Sequence, residues 1–158
     1  MPRAESQRRV AAAHDSKQHL RLWLRLLRRT RFIEGELRER LRLAYGVTLP
    51  RFDVMAVLFR YEAGVTMTEL SRLMMVSNGN VTGIVDRLVK DGHVMRVPKA
   101  EDRRATFVRL TAEGRAFFAE MAEAHEDWVD EILATVSPAD TETLISLLGQ
   151  LPRPNGTA

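Results

Sequence analysis

Residues 66–111 read TMTELSRLMMVSNGNVTGIVDRLVKDGHVMRVPKAEDRRATFVRLT, and the punctuation in this stretch separates four short elements. Thr66 to Glu69 fits the S/T-x-x-E capping box, in which side chain and backbone at a helix start satisfy each other's free donors. The helix opened by Thr66 or Met67 carries Leu70, Leu73 and Met74 on the side to be buried. Ser77 or Asn78 can cap a second helix, whose Val81, Ile84, Val85, Leu88 and Val89 recur at spacings of three and four until Asp91-Gly92 ends it. His93 to Val97 and Thr106 to Leu110 are runs of β-branched and apolar residues, predicting a hairpin with a charged tip at Pro98-Lys-Ala-Glu-Asp-Arg-Arg.

A short helix, a tight turn, a second helix and a two-stranded hairpin, in that order, predict a winged helix-turn-helix over residues 50–111. In such a motif the second helix lies in the major groove of DNA with its N-terminal residues near base edges. Those positions call for short side chains able to donate and accept hydrogen bonds, and Ser77, Asn78, Asn80 and Thr82 supply them opposite the apolar stripe. Gly79 keeps the first turn slim, and the free N–H groups and dipole of the helix start favour a phosphate oxygen. Simple N-capping accounts for Ser77 or Asn78, but not for all four residues. Thr66 and Thr68 at the front of the first helix, and Arg87 further along the second, complete the expected DNA-binding face.

The hairpin tip adds Lys99, Asp102, Arg103 and Arg104 in a loop with no core to serve. An arginine entering a minor groove gains from the negative potential there, and a neighbouring carboxylate can orient its guanidinium. We assign the reaching role to Arg104 and the orienting role to Asp102.

Outward from this segment, residues 1–15 lack apolar periodicity and carry Arg3, Arg8 and Arg9, so they read as a flexible basic arm. Residues 16–49 form an N-terminal helix. Leu20, Trp23, Leu24 and Leu27, then Ile33, Leu37, Leu41 and Ala44, recur at helical spacing until Gly46. Pro50 begins a short helix whose Phe52, Met55, Val57, Leu58 and Phe59 belong in a core. Residues 112–151 hold two further helices. The first shows Phe117, Phe118, Met121, Ala124, Trp128, Ile132 and Leu133 on one side and breaks at Ser137-Pro138. The second, about Ala139 to Leu151, presents Leu144, Ile145, Leu147, Leu148 and Leu151. Residues 152–158 read as a flexible tail. The predicted fold class is therefore mainly α: a winged helix-turn-helix with a short β-hairpin wing and long N- and C-terminal helices.

Composition narrows the function. The 158 residues suffice for one compact domain with a helical extension. The net charge of +3 conceals a split: Met1 to Arg51 has thirteen Lys/Arg against five Asp/Glu, or +8, and Glu113 to Ala158 has two against nine, or −7. The basic residues at the centre suit a polyanionic partner. With no cysteine there is no disulfide, thiolate metal site or thiol redox switch. No signal-peptide or membrane-spanning pattern occurs, and a cytoplasmic location is expected. His14, His19, His93 and His125 lack the spacing of metal ligands, so no metal or cofactor is expected. No Ser/His/Asp arrangement, phosphate-cradling glycine loop or close carboxylate pair suggests an enzyme. Structured RNA is a poorer partner than duplex DNA, because an A-form major groove is too narrow for the polar helix face. A winged helix used purely as a protein-interaction module stays open, although it would not need Arg103 and Arg104 at the wing tip.

The segment TELSRLMMVSNGNVTGIVDRLVKDGHVMRV, followed by EDRRATFVRLTAEG, resembles the helix-turn-helix, D-x-R wing motif and L-T-x-x-G run of the MarR family of transcriptional regulators. The resemblance covers roughly residues 17 to 151 and implies a homodimer in which the first and last two helices of each copy intertwine. It implies a pseudo-palindromic double-stranded DNA operator, usually repressed. Leu20, Leu24, Phe117, Phe118, Trp128, Leu144 and Leu148 are the residues expected at the dimer interface, where apolar surface exceeds what one small lobe covers and the charges of the two ends are complementary. In similar proteins a small phenolic, aromatic carboxylate or acyl thioester binds between the first two helices and the lobe and weakens DNA binding. For such an effector the residues expected here are Trp23, Leu27, Arg28, Arg31, Phe32, Phe52, Met55 and Phe59, the arginines meeting the anionic group.

Overall fold

The structure, a computed structural model, describes residues 2–98 and 106–152, with the backbone alone for residues 2–15 and 78. The elements in chain order are α1 (Pro2–Tyr45), α2 (Leu49–Arg60), β1 (Val65–Thr66), α3 (Met67–Met74), α4 (Asn78–Lys90), β2 (Val94–Pro98), β3 (Thr106–Leu110), α5 (Ala112–Leu133) and α6 (Pro138–Leu148). Two compact units result, Met1–Glu36 and Leu37–Ala158. Among the described residues no helix is long and apolar enough to cross a membrane.

Helix α1 begins at Pro2, so the segment expected to be a basic arm is helical and continuous with the rest of α1 as far as Tyr45. The reason is propensity rather than amphipathicity. Proline is preorganised for a first helical turn, and Glu5, Gln7, Arg8, Arg9 and Ala11 to Ala13 are all strong helix formers that need no apolar stripe.

The second unit is built around one core. Leu41, Val54, Met55, Leu58, Leu70, Val81, Val85, Leu88, Val108 and Met121 are fully buried in it. Helix α3 starts as predicted: Glu69 N–H donates to Thr66 Oγ1 at 3.2 Å and Thr66 N–H donates to Glu69 Oε2 at 2.8 Å. Val81, Val85 and Leu88 are the inward stripe of α4. Strands β2 and β3 pair antiparallel from Val94↔Leu110 to Pro98↔Thr106. A third strand, not anticipated, lies on the other side of β3, where Val65 pairs with Val108 and Thr66 with Phe107, giving the order β1-β3-β2. Gly64, at φ +89°, makes this pairing feasible, because a Cβ there would stand 2.9 Å from the Val108 carbonyl oxygen.

Helix α5 is fastened directly to the base of the hairpin. The Thr111 hydroxyl donates to the Gly92 carbonyl at 2.7 Å and accepts the Gly114 N–H at 2.9 Å, while the Thr111 N–H donates to the His93 carbonyl at 3.0 Å. Phe118 then packs between Phe52 (5.2 Å between ring centroids) and Phe59 (5.0 Å). Phe117 meets Tyr45 at 6.0 Å and stacks on His93 at 4.6 Å, and Trp128 lies 6.3 Å from Tyr45. Helix α6, begun by a Ser137 cap and Pro138, has no buried residue.

His125 of α5 stacks on Phe52 at 4.6 Å, and burial holds its pKa below the ordinary value of 6.5. A depressed folded-state pKa means that the unfolded chain binds the proton more readily. Stability is therefore full above about pH 6.5 and is lost as the pH falls below it. We expect the melting temperature to decline on acidification below that point more steeply in the wild type than in His125→Phe, as thermal melts at stepped pH will show. Identical pH profiles would mean that His125 gains no proton on unfolding.

Candidate nucleic-acid interface

The outward face of α4 is where the polar residues singled out above collect. Gly79, Asn80, Thr82 and Arg87 are exposed while Val81, Val85 and Leu88 of the same helix are buried. Ser77 occupies the N-cap position with extended backbone angles, yet its side chain makes no capping bond, unlike Thr66 of α3, Thr111 of α5 and Ser137 of α6. Local capping therefore does not use the Ser77 hydroxyl, which leaves it for an external partner. Two glycines stand one turn apart on this face. Among the described residues a Cβ at Gly79 or Gly83 would meet nothing within 4 Å, so neither glycine is there to fit another of them. Both sacrifice helix propensity, roughly 1 kcal/mol each relative to alanine, and both thin the helix where a groove would close around it.

Gly83→Ala tests that trade. Folding should gain about 0.5–1 kcal/mol, raising the melting temperature by about 1–4 °C for a chain of this size. Affinity for a selected DNA duplex should fall several-fold. A variant that gains stability and keeps full affinity would show that the bare face has no role in binding.

Two ion pairs brace α4, and neither was expected. Arg96 of β2 donates to Asp86 at 2.6 Å, tying the wing's first strand to the helix. Arg51 of α2 bonds Asp91 at the end of α4, and Arg87 approaches the same carboxylate at 3.6 Å. The Arg96–Asp86 pair, open to solvent, contributes between 0 and about 1 kcal/mol, so its effect is more to orient α4 than to stabilise the fold, whereas the Arg51–Asp91 pair is largely buried. The Arg87–Asp91 spacing of four was visible in the sequence, whereas the partners of Arg96 and Arg51 are joined only by folding.

The turn before α4 holds another residue the sequence did not flag. Met75, which ends α3, has φ +53°, the left-handed region, and is the one non-glycine residue there among the described residues. For a side-chain-bearing residue this conformation costs about 1–2 kcal/mol.

Thr66, expected on the DNA face, spends its hydroxyl on the Glu69 capping box, donating to Glu69 Oε2 at 2.8 Å and accepting from its N–H. Thr68 beside it is exposed. Lys99, Asp102, Arg103 and Arg104 lie outside the described residues, as does the side chain of Asn78; strands β2 and β3 deliver the chain to the tip segment at Pro98 and recover it at Thr106.

The residues expected to receive an effector divide between the units. In the second, Phe52 and Met55 are buried in the core and Phe59 is half-buried beneath the Arg115 guanidinium at 4.8 Å, so these side chains fill the lobe rather than line an open cavity. In the first, Trp23, Arg28, Arg31 and Phe32 are exposed and Leu27 is half-buried. Of the dimerisation set, Leu20, Leu24, Leu144 and Leu148 are exposed, Phe117 and Trp128 are half-buried, and Phe118 is a core residue of the lobe. Adjacent helical residues point about 100° apart, which is why Phe117 and Phe118 have different surroundings. Among the described residues no cluster of His, Asp and Glu could hold a metal.

Fold and face together define a winged helix-turn-helix protein with its second helix presented outward. Comparison with known proteins carries the assignment further. Residues 47–106 match the sequence profile of the MarR family. The chain is 34% identical over 159 residues to the transcriptional activatory protein BadR of Rhodopseudomonas palustris, covering 90% of this chain and 86% of that protein. It is 30% identical to the transcriptional regulator PecS of Dickeya dadantii, over 69% of this chain and 67% of that one. Among solved structures, a point mutant of Escherichia coli MarR in complex with operator DNA superposes with a TM-score of 0.75 at 28% identity, over 85% of this chain and 96% of that one. A MarR family regulator from Silicibacter pomeroyi gives 0.72 at 38% identity, over 85% and 94%. The chain belongs to the MarR family of transcriptional regulators, a family of DNA-binding regulators rather than enzymes.

Proposed function

We propose that this protein is a homodimeric, sequence-specific DNA-binding regulator that recognises a pseudo-palindromic operator, represses the adjoining promoter, and is released by a small aromatic or lipophilic anionic ligand. The observation that carries the reading is the outward face of α4: Ser77 without a capping role, Asn80 and Thr82 exposed beside it, and Gly79 and Gly83 leaving the helix bare. Asn78 and the wing residues Lys99, Asp102, Arg103 and Arg104 join that face in the proposal, the arginines in the flanking minor groove. The operator complex of Escherichia coli MarR, a structural neighbour, supports the mode.

Dimerisation is supported by apolar side chains left uncovered in a single copy, Leu20 and Leu24 on α1 and Leu144 and Leu148 on α6. Arg28 and Arg31 are the groups we assign to the anionic end of an effector. The sign of regulation depends on where the operator lies. One relative, from Bacillus subtilis, is named a repressor and BadR an activatory protein; repression follows where the operator overlaps the promoter, which is the arrangement we propose. Action on the chromosome places the protein in the cytoplasm.

Selection of random duplexes by the purified full chain, followed by titration of the winner at two salt concentrations, tests the core of this proposal. A palindrome with half-sites about one helical turn apart and a steep salt dependence is expected. Aromatic carboxylates added to the complex should then release it. No enriched sequence would return the protein to the interaction-module class.

A further inference from the structure

Met75 takes the left-handed position of a Schellman helix end, its N–H on the Arg72 carbonyl and the Val76 N–H on the Ser71 carbonyl, a position that glycine usually fills. Its backbone is held at φ +53°, where glycine is the relaxed residue, and its side chain is 68% exposed, so burial does not offset the strain. Its N–H closes α3 onto the Arg72 carbonyl at 3.1 Å, a bond that glycine would make equally well. A methionine in this conformation, with its side chain mostly exposed, is available for contact with something outside the chain.

Its place says what that is. Met75 stands two residues ahead of Ser77, at the end of α4 that points at base edges in the mode proposed above, and the inference rests on that mode. Along the same helix Gly79 and Gly83 carry no side chain, so the turn can come close to the groove floor. Val76 lies between, itself exposed, with its N–H closing α3 onto the Ser71 carbonyl. The apolar group offered by a major groove is the C5-methyl of thymine, and a flexible, polarisable thioether chain suits contact with it. We propose that Met75 is a specificity-determining residue that reads a thymine methyl in each half-site of the operator.

The test uses the full chain and the duplex it selects. Thymidine is replaced by deoxyuridine one position at a time, which deletes the methyl and leaves the pairing unchanged. At one position in each half-site wild-type affinity should fall about 4-fold, the effect of one methyl leaving an apolar contact, and about 15-fold when both are replaced. Met75→Gly fits the turn and should melt no lower than the wild type. It should bind the thymine operator as weakly as the wild type binds the doubly replaced one, and lose nothing more on replacement. Met75→Gly with undiminished affinity for the thymine operator would overturn the inference, as would equal losses by both proteins at every deoxyuridine position, while leaving DNA recognition by α4 intact. Failure of the wild type to select any duplex would instead overturn that recognition, and the role of Met75 with it.

Discussion

Gly114→Ala should be the most damaging of the glycine-to-alanine changes among the described residues. A Cβ at Gly114 would stand 1.9 Å from the His93 carbonyl oxygen and 2.7 Å from its carbon, inside any tolerable contact, and both are backbone atoms that cannot rotate away. Relief requires lifting α5 off the base of the wing. That in turn strains the bonds by which Thr111 holds Gly92, His93 and Gly114 together. A loss of about 3 kcal/mol or more is expected, lowering the melting temperature by roughly 10 °C. Gly83→Ala is the natural control, with open space around the same added atom. Thermal melts of the two variants beside the wild type decide the matter, and a Gly114→Ala protein melting within a degree or two of wild type would show that α5 can shift without cost.

Leu144→Asp combined with Leu148→Asp is the second large effect, expected in assembly rather than in the lobe. Helix α6 has no buried residue in a single copy, and Leu144, Ile145, Leu147 and Leu148 are all about half exposed or more. A helix of 11 residues is marginal alone in water, and one this apolar requires a cover, which in the proposed function is the second protomer. Two carboxylates there should convert the dimer to monomer while leaving the circular dichroism of the lobe nearly intact, because the lobe's core does not use these leucines. Operator affinity should drop by about 10²-fold or more, since a monomer engages one half-site without the effective concentration that linkage gives the second. Sedimentation and operator titration are the readouts. A dimer of full affinity would rule out α6 as the interface.

How much of this was legible beforehand depends on the range of the interaction. The capping box at Thr66 and Glu69 and the stripe of Val81, Val85 and Leu88 are local, and each is readable from spacing alone. The L-T-x-x-G run was legible as a pattern, but its physical cause, the His93 carbonyl against Gly114, was not. Strand β1, two residues long, carries no periodicity to detect. Arg51 and Asp91 are forty positions apart, and nothing in either neighbourhood announces the other. The start of α1 was missed because amphipathicity was the criterion and propensity the cause. Phe118 is expected at the dimer interface and is buried in the core of the lobe, a distinction that apolar character cannot make.

Strand β1 also bears on how this lobe opens. Thr66 pairs with Phe107 in the sheet and at the same time caps α3, so the edge strand β1 and the first recognition-motif helix share one residue. Fraying of β3 from β1 therefore uncaps α3, and melting of α3 frees the edge of β3. In native-state hydrogen exchange the two should behave as one cooperative unit with a common opening free energy, in place of a loose hairpin exchanging ahead of a stable helix pair.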